Sequence, residues 1–359
     1  MKIQKVIGYG LSSPVKGGHT YYGYQSDTKN IGVIEVHTDN GLIGYGETYA
    51  GVYCAELIEP TVKYLEPFLV GVEVKSANID SIPFIGRSGL LRSVFSGIDI
   101  ALYDILSQDK NQALYEYISP DGDYKFVDTY ASNGSATFTP QQIEDDVKSI
   151  LDLGYQSYKM RIGIQDRTTD LLRLEAARKY LGSNNLMVDA IMGTNPNKWD
   201  YNTALKWSED LEQFDVYWLE EPFNPTQVYN YSKLRMNSKI SIAGGEALNQ
   251  SLEFDLYKAA AAVDIIQPDA TNSGGISDCI KVVSMFGKEN VAMHVWGSQI
   301  AINANEHFAR ALGVKFLEKP MMELSINEEI ICDRPGLGIQ ITDNIKNKYK
   351  LKSKENFKI

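Results

Sequence analysis

The sequence predicts a (β/α) barrel preceded by a smaller α+β domain, an expectation carried by three observations. Between Asp189 and His294, five residues able to bind metal or carry a proton each follow a short apolar run: Asp189 after LMV, Glu220 after VYWL, Glu246 after SIAGG, Asp269 after VDIIQP and His294 after VAM. They are 31, 26, 23 and 25 residues apart, which is about one strand, one helix and two loops, and polar residues closing the strands of such a repeat form the catalytic rim of a barrel. The first third of the chain does not follow this alternation, and 359 residues suit a barrel plus a second, smaller domain.

Residues 1–124 read as the α+β domain. MKIQKVIGYGLSS and NIGVIEVHTDNGLIGYGETYA alternate apolar and polar residues around Asp39-Asn40-Gly41, a strong hairpin signal. AELIEPTVKYLEPFL, SGLLRSVFSGIDIALYDILSQDK and NQALYEYI place apolar residues at three- and four-residue spacing, as amphipathic helices do. Between the first two strands, residues 16–29 (KGGHTYYGYQSDTK) read as a polar, Gly- and Tyr-rich loop. A loop of that kind serves as a lid, so His19, Tyr21, Tyr22 and Tyr24 are expected to touch a substrate, with TYAGVYC after Glu47 as a second wall.

Residues 125–325 carry the barrel. Strand-like FVDTYASNG is followed by a helix from QQIEDDVKSILDLG, for which Thr139 is the N-cap and Pro140 fits the first position. Strands then fall in YQSYKMRIG, NLMVDA, VYWLEEP, KISIAGGEA, VDIIQPDA, VAMHV and VKFLEKP, with helical patterns between them. Eight short apolar strands joined by helices close most naturally into a barrel. A doubly wound sheet would gather its chemistry at one switch point instead of spreading it over seven strand ends. Residues 326–359, punctuated by PGLG, are expected to pack back on the first domain.

With 35 Lys and Arg against 46 Asp and Glu, the net charge of −11 speaks against a nucleic-acid surface. No run approaches the length of a membrane span and the N-terminus lacks a signal-peptide core, so a cytoplasmic protein is expected. Cys54, Cys279 and Cys332 are odd in number and have no CxxC spacing, which suits reduced thiols.

Asp189, Glu220 and Glu246 close three consecutive strands, and three carboxylates converge only around a shared cation. An all-oxygen set favours Mg²⁺ over Zn²⁺. Glu221 would point to the other face of its strand, so Glu220 is the expected ligand. Asp269 and His294 close neighbouring strands, where an aspartate would orient the imidazole as a general base. His37 and His307 lack such placement. Lys159 and Arg161, two apart on one strand, face the same way, and a cation there stabilises developing negative charge. Glu318 ends the last strand and, if protonated, could donate to an anionic intermediate.

Lys159-Met160-Arg161, Val188-Asp189-Ala190, Leu219-Glu220-Glu221-Pro222, Gly245-Glu246, Gln267-Pro268-Asp269 with Ser273-Gly274-Gly275, and Met293-His294 together resemble the mandelate racemase group of the enolase superfamily. SGIDIALYDIL and PGLG extend the resemblance over nearly the whole chain. It implies a modified TIM barrel, (β/α)₇β, with an N-terminal α+β capping domain completed by the C-terminal segment. It further implies one Mg²⁺ on Asp189, Glu220 and Glu246, abstraction of the proton next to a carboxylate, and an enediolate intermediate. Asp269 and His294 match the family's dyad, Glu318 matches the glutamate that hydrogen-bonds the intermediate, and a homo-oligomer, dimer or larger, is implied.

Two departures narrow the expectation. Many members carry Lys-x-Lys where this chain has Lys159 and Arg161, and an arginine, almost always protonated, is a poor second base. The common Asp-Ala-Asn is here Asp189-Ala190-Ile191. One working base suits dehydration of a sugar acid, an aldonate or aldarate, to a 2-keto-3-deoxy acid. The alternatives are an epimerase or racemase, a cycloisomerase acting on a lactone or anhydro-sugar acid, and a noncatalytic carboxylate-binding barrel.

Overall fold

The computed structural model describes residues 1–21, 24–82, 89–123, 127–193, 195, 198–332 and 334–352, with the backbone alone at 17–21, 24, 25, 76, 81 and 332. The chain opens with an antiparallel sheet in the order β1 (Ile3–Tyr21), β2 (Tyr24–Thr38), β3 (Ile43–Thr48). The turn from β2 to β3 uses the Asp39-Asn40-Gly41 signal, with Gly41 at φ 87° and the Thr38 hydroxyl donating to Asn40 Oδ1 at 2.6 Å. Where a loop was expected at 16–29, the described residues 16–21 and 24–29 are strand. β1 and β2 continue as one hairpin arm, pairing His19 with Ser26, Thr20 with Gln25 and Tyr21 with Tyr24 after a register shift beyond Pro14. Thr and Tyr favour strands, and paired arms satisfy each other's backbone groups, which a loop would leave to water.

Four helices follow: α1 (Ala50–Cys54), α2 (Ile58–Leu69), α3 (Leu90–Asp109) and α4 (Leu114–Ile118). α2 buries Ile58, Thr61, Val62, Leu65 and Leu69, its three- and four-spaced stripe, against β1. α3 is buried on nearly every side because it lies between β3 and the barrel. Its approach to β3 depends on glycine: a Cβ on Gly46 would stand 1.9 Å from the Gly97 carbonyl oxygen.

The barrel comprises β4 (Asp128–Ser132), α5 (Pro140–Asp152), β5 (Ser157–Arg161), α6 (Arg167–Leu181), β6 (Asn185–Asp189), α7 (Tyr201–Glu212), β7 (Val216–Glu220), α8 (Val228–Asn237), β8 (Ser241–Gly244), α9 (Ser251–Ala259), β9 (Ile265–Ile266), α10 (Gly275–Phe286), β10 (Ala292–Met293), α11 (Gln299–Leu312) and β11 (Phe316–Pro320). α5 starts as expected, with Thr139 Oγ1 accepting from Gln142 N–H at 3.2 Å and the Gln142 side chain accepting from Thr139 N–H at 2.8 Å. The eight strands are parallel in the order β10-β11-β4-β5-β6-β7-β8-β9, and a bridge between Ile266 and Val291 joins the two ends. The result is a modified TIM barrel, (β/α)₇β, under a capping domain.

Inside the barrel, Tyr130, Met187, Trp218, Ala243, Ile265, Ala292 and Phe316 form an apolar plug. The charged residues lie on its C-terminal side, as layered barrel interiors require. The chain ends with β12 (Ile331–Cys332), β13 (Ile339–Gln340) and α12 (Asp343–Lys348). This tail returns to the cap: Ser12 N–H donates to the Tyr349 carbonyl at 2.8 Å and Leu114 N–H to that of Gly336 at 2.8 Å.

Three buried carboxylates of the cap join it to the rest. Glu47 accepts from Ser298 N–H, Ser298 Oγ and Ala301 N–H, capping α11. Asp99 accepts from Ser277 N–H at 3.0 Å and Oγ at 2.7 Å, at the start of α10. Asp104 accepts from Tyr45 N–H at 2.9 Å and from Leu337 N–H at 2.7 Å in the returning tail. Replacing Asp104 by Ala orphans both buried N–H groups and costs about 3 kcal/mol. Urea unfolding monitored by tryptophan fluorescence checks this; a shift of the midpoint too small to resolve contradicts it.

Candidate active site

The residues singled out by position do meet at the C-terminal end of the barrel. Arg161, Asp189 and Glu220 are the last residues of β5, β6 and β7, and the ladder pairs Arg161 with Asp189 and Asp189 with Glu220. Glu246 follows β8 by two residues and His294 directly follows β10. His294 N–H donates to the Pro268 carbonyl at 3.0 Å, which brings its loop beside that of Asp269.

Lys159 is the buried hinge of the charge pattern, with Nζ 2.6 Å from Glu220 Oε1 and 2.9 Å from Glu318 Oε1. Burial alone would lower its pKa, but Glu220 and Glu318 outweigh burial and hold it well above the ordinary range. The remaining Glu220 oxygen accepts from Trp218 Nε1 at 3.0 Å and Gln267 Nε2 at 2.7 Å. Burial raises the pKa of Glu318, yet Lys159, His294 and Arg161 together carry it down to about 2. Glu318 Oε2 accepts from Val295 N–H at 3.3 Å and from the Tyr130 hydroxyl at 3.4 Å, and these cations favour an accepting carboxylate at Glu318, with Lys159 the neighbouring donor.

Arg161 is drawn aside by the loop after β4, donating Nη1–H to the Asn133 carbonyl at 2.6 Å and Nη2–H to Ser132 Oγ at 3.0 Å. Its Nε lies 3.9 Å from Asp189 Oδ2.

Glu221 requires a correction. Strand alternation turned it away from Glu220, but the strand ends at Glu220, and Glu221 takes φ 44°, outside the extended region. Its buried carboxyl lies against Gly193 and senses the charges of Glu246, Asp189 and Glu220. The rim thus offers four acids. Burial first, then neighbouring carboxylates, lifts Asp189 to about 8 and Glu221 well above the usual range; Glu246 is also raised, with His294 opposing. Ile191, after Asp189, also has positive φ, at 49°. A β-branched residue in that region costs on the order of 1–3 kcal/mol.

Among the described residues, no three or more His, Cys, Asp and Glu side chains form a ready-made metal cage. The donor chemistry nevertheless suits a hard dication, since Asp189, Glu220, Glu221 and Glu246 supply only oxygen, in a largely buried place where Lys159, Arg161 and His294 offset their mutual repulsion only in part.

His294 Nδ1 is 2.9 Å from Asp269 Oδ2, while Asp269 Oδ1 accepts from Thr271 N–H, Thr271 Oγ1 and Asn305 Nδ2 at 2.8–2.9 Å. The carboxylate is thereby fixed, and fixes the ring. Nε2 faces the rim acids, 3.3 Å from Glu246 Oε2 and 3.8 Å from Glu318 Oε2. Burial lowers the imidazole pKa, but Glu246, Glu318 and Asp269 raise it to about 9. Whatever neutralises Glu246 weakens the strongest of the forces holding that proton. Such a ring, held through Nδ1 and open at Nε2, can move a proton to or from a bound molecule.

Two site residues, Lys29 and Trp296, were not singled out from the sequence. Lys29 of β2 places Nζ 3.7 Å from the centroid of the Trp296 ring. Trp296 itself also lies under the Arg161 guanidinium, 5.6 Å away. Tyr49, in the second wall, meets His294 edge-on at 5.8 Å between ring centroids. Tyr22 and the side chains of His19, Tyr21 and Tyr24 lie outside the described residues. His37 bonds Glu35 at 3.1 Å in the cap, and His307 accepts from Tyr115 N–H through Nδ1 at 3.1 Å, both away from the rim.

Comparison with known proteins agrees with this fold. Residues 142–345 match a family model described as enolase C-terminal domain-like, and residues 22–119 match the mandelate racemase / muconate lactonizing enzyme N-terminal domain. The chain is 27% identical to an arabinonate dehydratase of Saccharolobus solfataricus, over 92% of this chain and 93% of that protein. It is 28% identical to an L-talarate/galactarate dehydratase of Salmonella typhimurium, over 94% of this chain and 87% of the relative. A crystal structure of the 3,6-anhydro-D-galactonate cycloisomerase from Zobellia galactanivorans superposes with a TM-score of 0.82 at 26% identity, covering 97% of this chain and 99% of the other.

Proposed function

The chain belongs to the mandelate racemase / muconate lactonizing enzyme family of the enolase superfamily and is an enzyme; on that premise we propose that it dehydrates a sugar acid to a 2-keto-3-deoxy acid. The observation that carries the reading is the single base. His294 is held ready by Asp269, whereas three strands around the barrel, at the end of β5, stands Arg161. A guanidinium does not accept the proton that a two-base racemisation requires.

In this reading Asp189, Glu220 and Glu246 hold Mg²⁺, with Glu221 beside them. When bound, the ion supplies positive charge to the substrate carboxylate and lowers the cost of the charge that builds there. His294 Nε2 removes the proton from C2, and the C–H electron pair moves into the carboxylate to give an enediolate. Lys159 and Arg161 face that developing charge. The electrons then return to form the C2–C3 double bond and expel the C3 hydroxyl, which takes the proton from His294 and leaves as water. The enol tautomerises to the 2-keto acid.

The test is incubation with Mg²⁺ and a library of aldonates and aldarates, with keto acids trapped by semicarbazide. One or a few acids are expected to yield a 2-keto-3-deoxy product; no keto acid from any member counts against dehydration. A second reading, cycloisomerisation, is supported by the likeness to a cycloisomerase structure and uses the same first step. It is distinguished by exchange of the C2 proton with solvent and an isomeric product without loss of water.

A further inference from the structure

Lys29 stands opposite Ser13 in the cap hairpin, yet its side chain ends inside the barrel mouth, over Trp296, two residues beyond His294. The residue is 3% exposed, and among the described residues its Nζ has no hydrogen-bond partner. A buried ammonium ordinarily has a counter-charge, because removing it from water costs several kcal/mol. Here the neighbouring anions are already engaged. Glu47 serves Ser298 and Ala301, Asp269 serves His294, Thr271 and Asn305, and Glu318 is 2.9 Å from Lys159. Arg161, the other cation over Trp296, spends two of its donors on Ser132 and Asn133. Burial accordingly pushes the Lys29 pKa down to about 7, against the pull of Glu47 and Asp269.

We propose that Lys29 is the residue through which the cap recognises the substrate, that the group it takes is a carboxylate other than the one being enolised, and that the substrate is therefore a dicarboxylate sugar acid, an aldarate. The inference rests on the proton abstraction proposed for this same site. The reacting carboxylate already has Lys159 and the rim cation to answer its charge, so for a monocarboxylate Lys29 keeps no hydrogen-bond partner and meets Glu47 and Asp269 only through space. A hydroxyl would give Lys29 a hydrogen bond but no direct ion pair. A second carboxylate supplies both, as a charge-assisted bond on the aromatic face of Trp296.

The experiment compares kcat/KM for aldarates and aldonates of equal length, pentarates against pentonates and hexarates against hexonates, in the wild type, Lys29→Met and Lys29→Arg. The wild type is expected to prefer its best diacid over the matching monoacid by about 30- to 100-fold, the scale of one charge-assisted hydrogen bond. Lys29→Met is expected to bring that ratio near unity, mainly through KM, and Lys29→Arg to restore most of it. Equal use of monoacid and diacid by the wild type overturns the proposal, as does a preference that Lys29→Met leaves intact. Should Lys29→Met not fold, Lys29→Gln carries the same comparison. Should no acid lose water or exchange its C2 proton in D₂O, the proton-abstraction reading fails on its own. Calorimetric binding of the same acid pairs to the wild type and the variant then decides Lys29: a diacid preference lost in Lys29→Met supports it, and no preference, or one that survives, overturns it.

Discussion

Replacing His294 by Asn lowers kcat by about 10³- to 10⁴-fold, the contribution of a positioned general base. Asn can still bond Asp269, whose other oxygen keeps its three donors, so the dyad's frame stays intact and the melting temperature falls by a few degrees at most. What is lost is Nε2, the one imidazole atom that points at the rim acids. The variant therefore binds substrate and fails to exchange its C2 proton. Steady-state kinetics and proton exchange followed by NMR check both halves, and turnover unchanged from the wild type would remove His294 from the mechanism.

Asp189→Asn has the next largest effect. It removes one of four clustered acids that burial and mutual repulsion leave short of positive charge. A ligand lost from a dication that stabilises the enediolate by several kcal/mol lowers kcat/KM by about 10³-fold. Mg²⁺ affinity, read by calorimetric titration, falls by about 100-fold, on the order of 3 kcal/mol. Chelation abolishes wild-type activity and added Mg²⁺ restores it. Turnover that persists through exhaustive chelation contradicts the metal reading. Glu220→Gln and Glu221→Gln, titrated side by side, separate the acid bonded to Lys159 from the one turned toward Gly193.

The rim was legible because strand ends leave a mark in sequence: an apolar run followed by a lone acid or histidine, repeated at a near-constant interval. That pattern alone marks Asp189, Glu220, Glu246, Asp269 and His294 as strand-end residues. It failed one residue further on, at Glu221. Alternation holds only while the backbone is extended, and φ turns positive as soon as β7 ends. The surroundings of Glu318 were not legible for a different reason. They depend on Lys159, which comes from another strand, and sequence spacing does not give the 2.9 Å between the two residues.

Lys29 was hidden by the reading of 16–29 as an exposed loop; with 24–29 paired as strand against β1, a lysine at the barrel mouth is a placed residue. Asp99 and Asp104 carried a signal that was available, two aspartates within the apolar stretch GIDIALYDIL of α3. A charge in such a run needs a partner, and both find backbone N–H groups across a domain boundary.

The role of His294 as the base is tested most directly by following the C2 proton by NMR while wild type and His294→Asn act on the sugar acids in D₂O with Mg²⁺. The account predicts that, with the wild type, the C2 proton of one acid disappears as its 2-keto-3-deoxy product forms. With His294→Asn, both processes should be lost together. A wild type that turns over an acid with its C2 proton retained, or a His294→Asn variant that still removes it, contradicts the account.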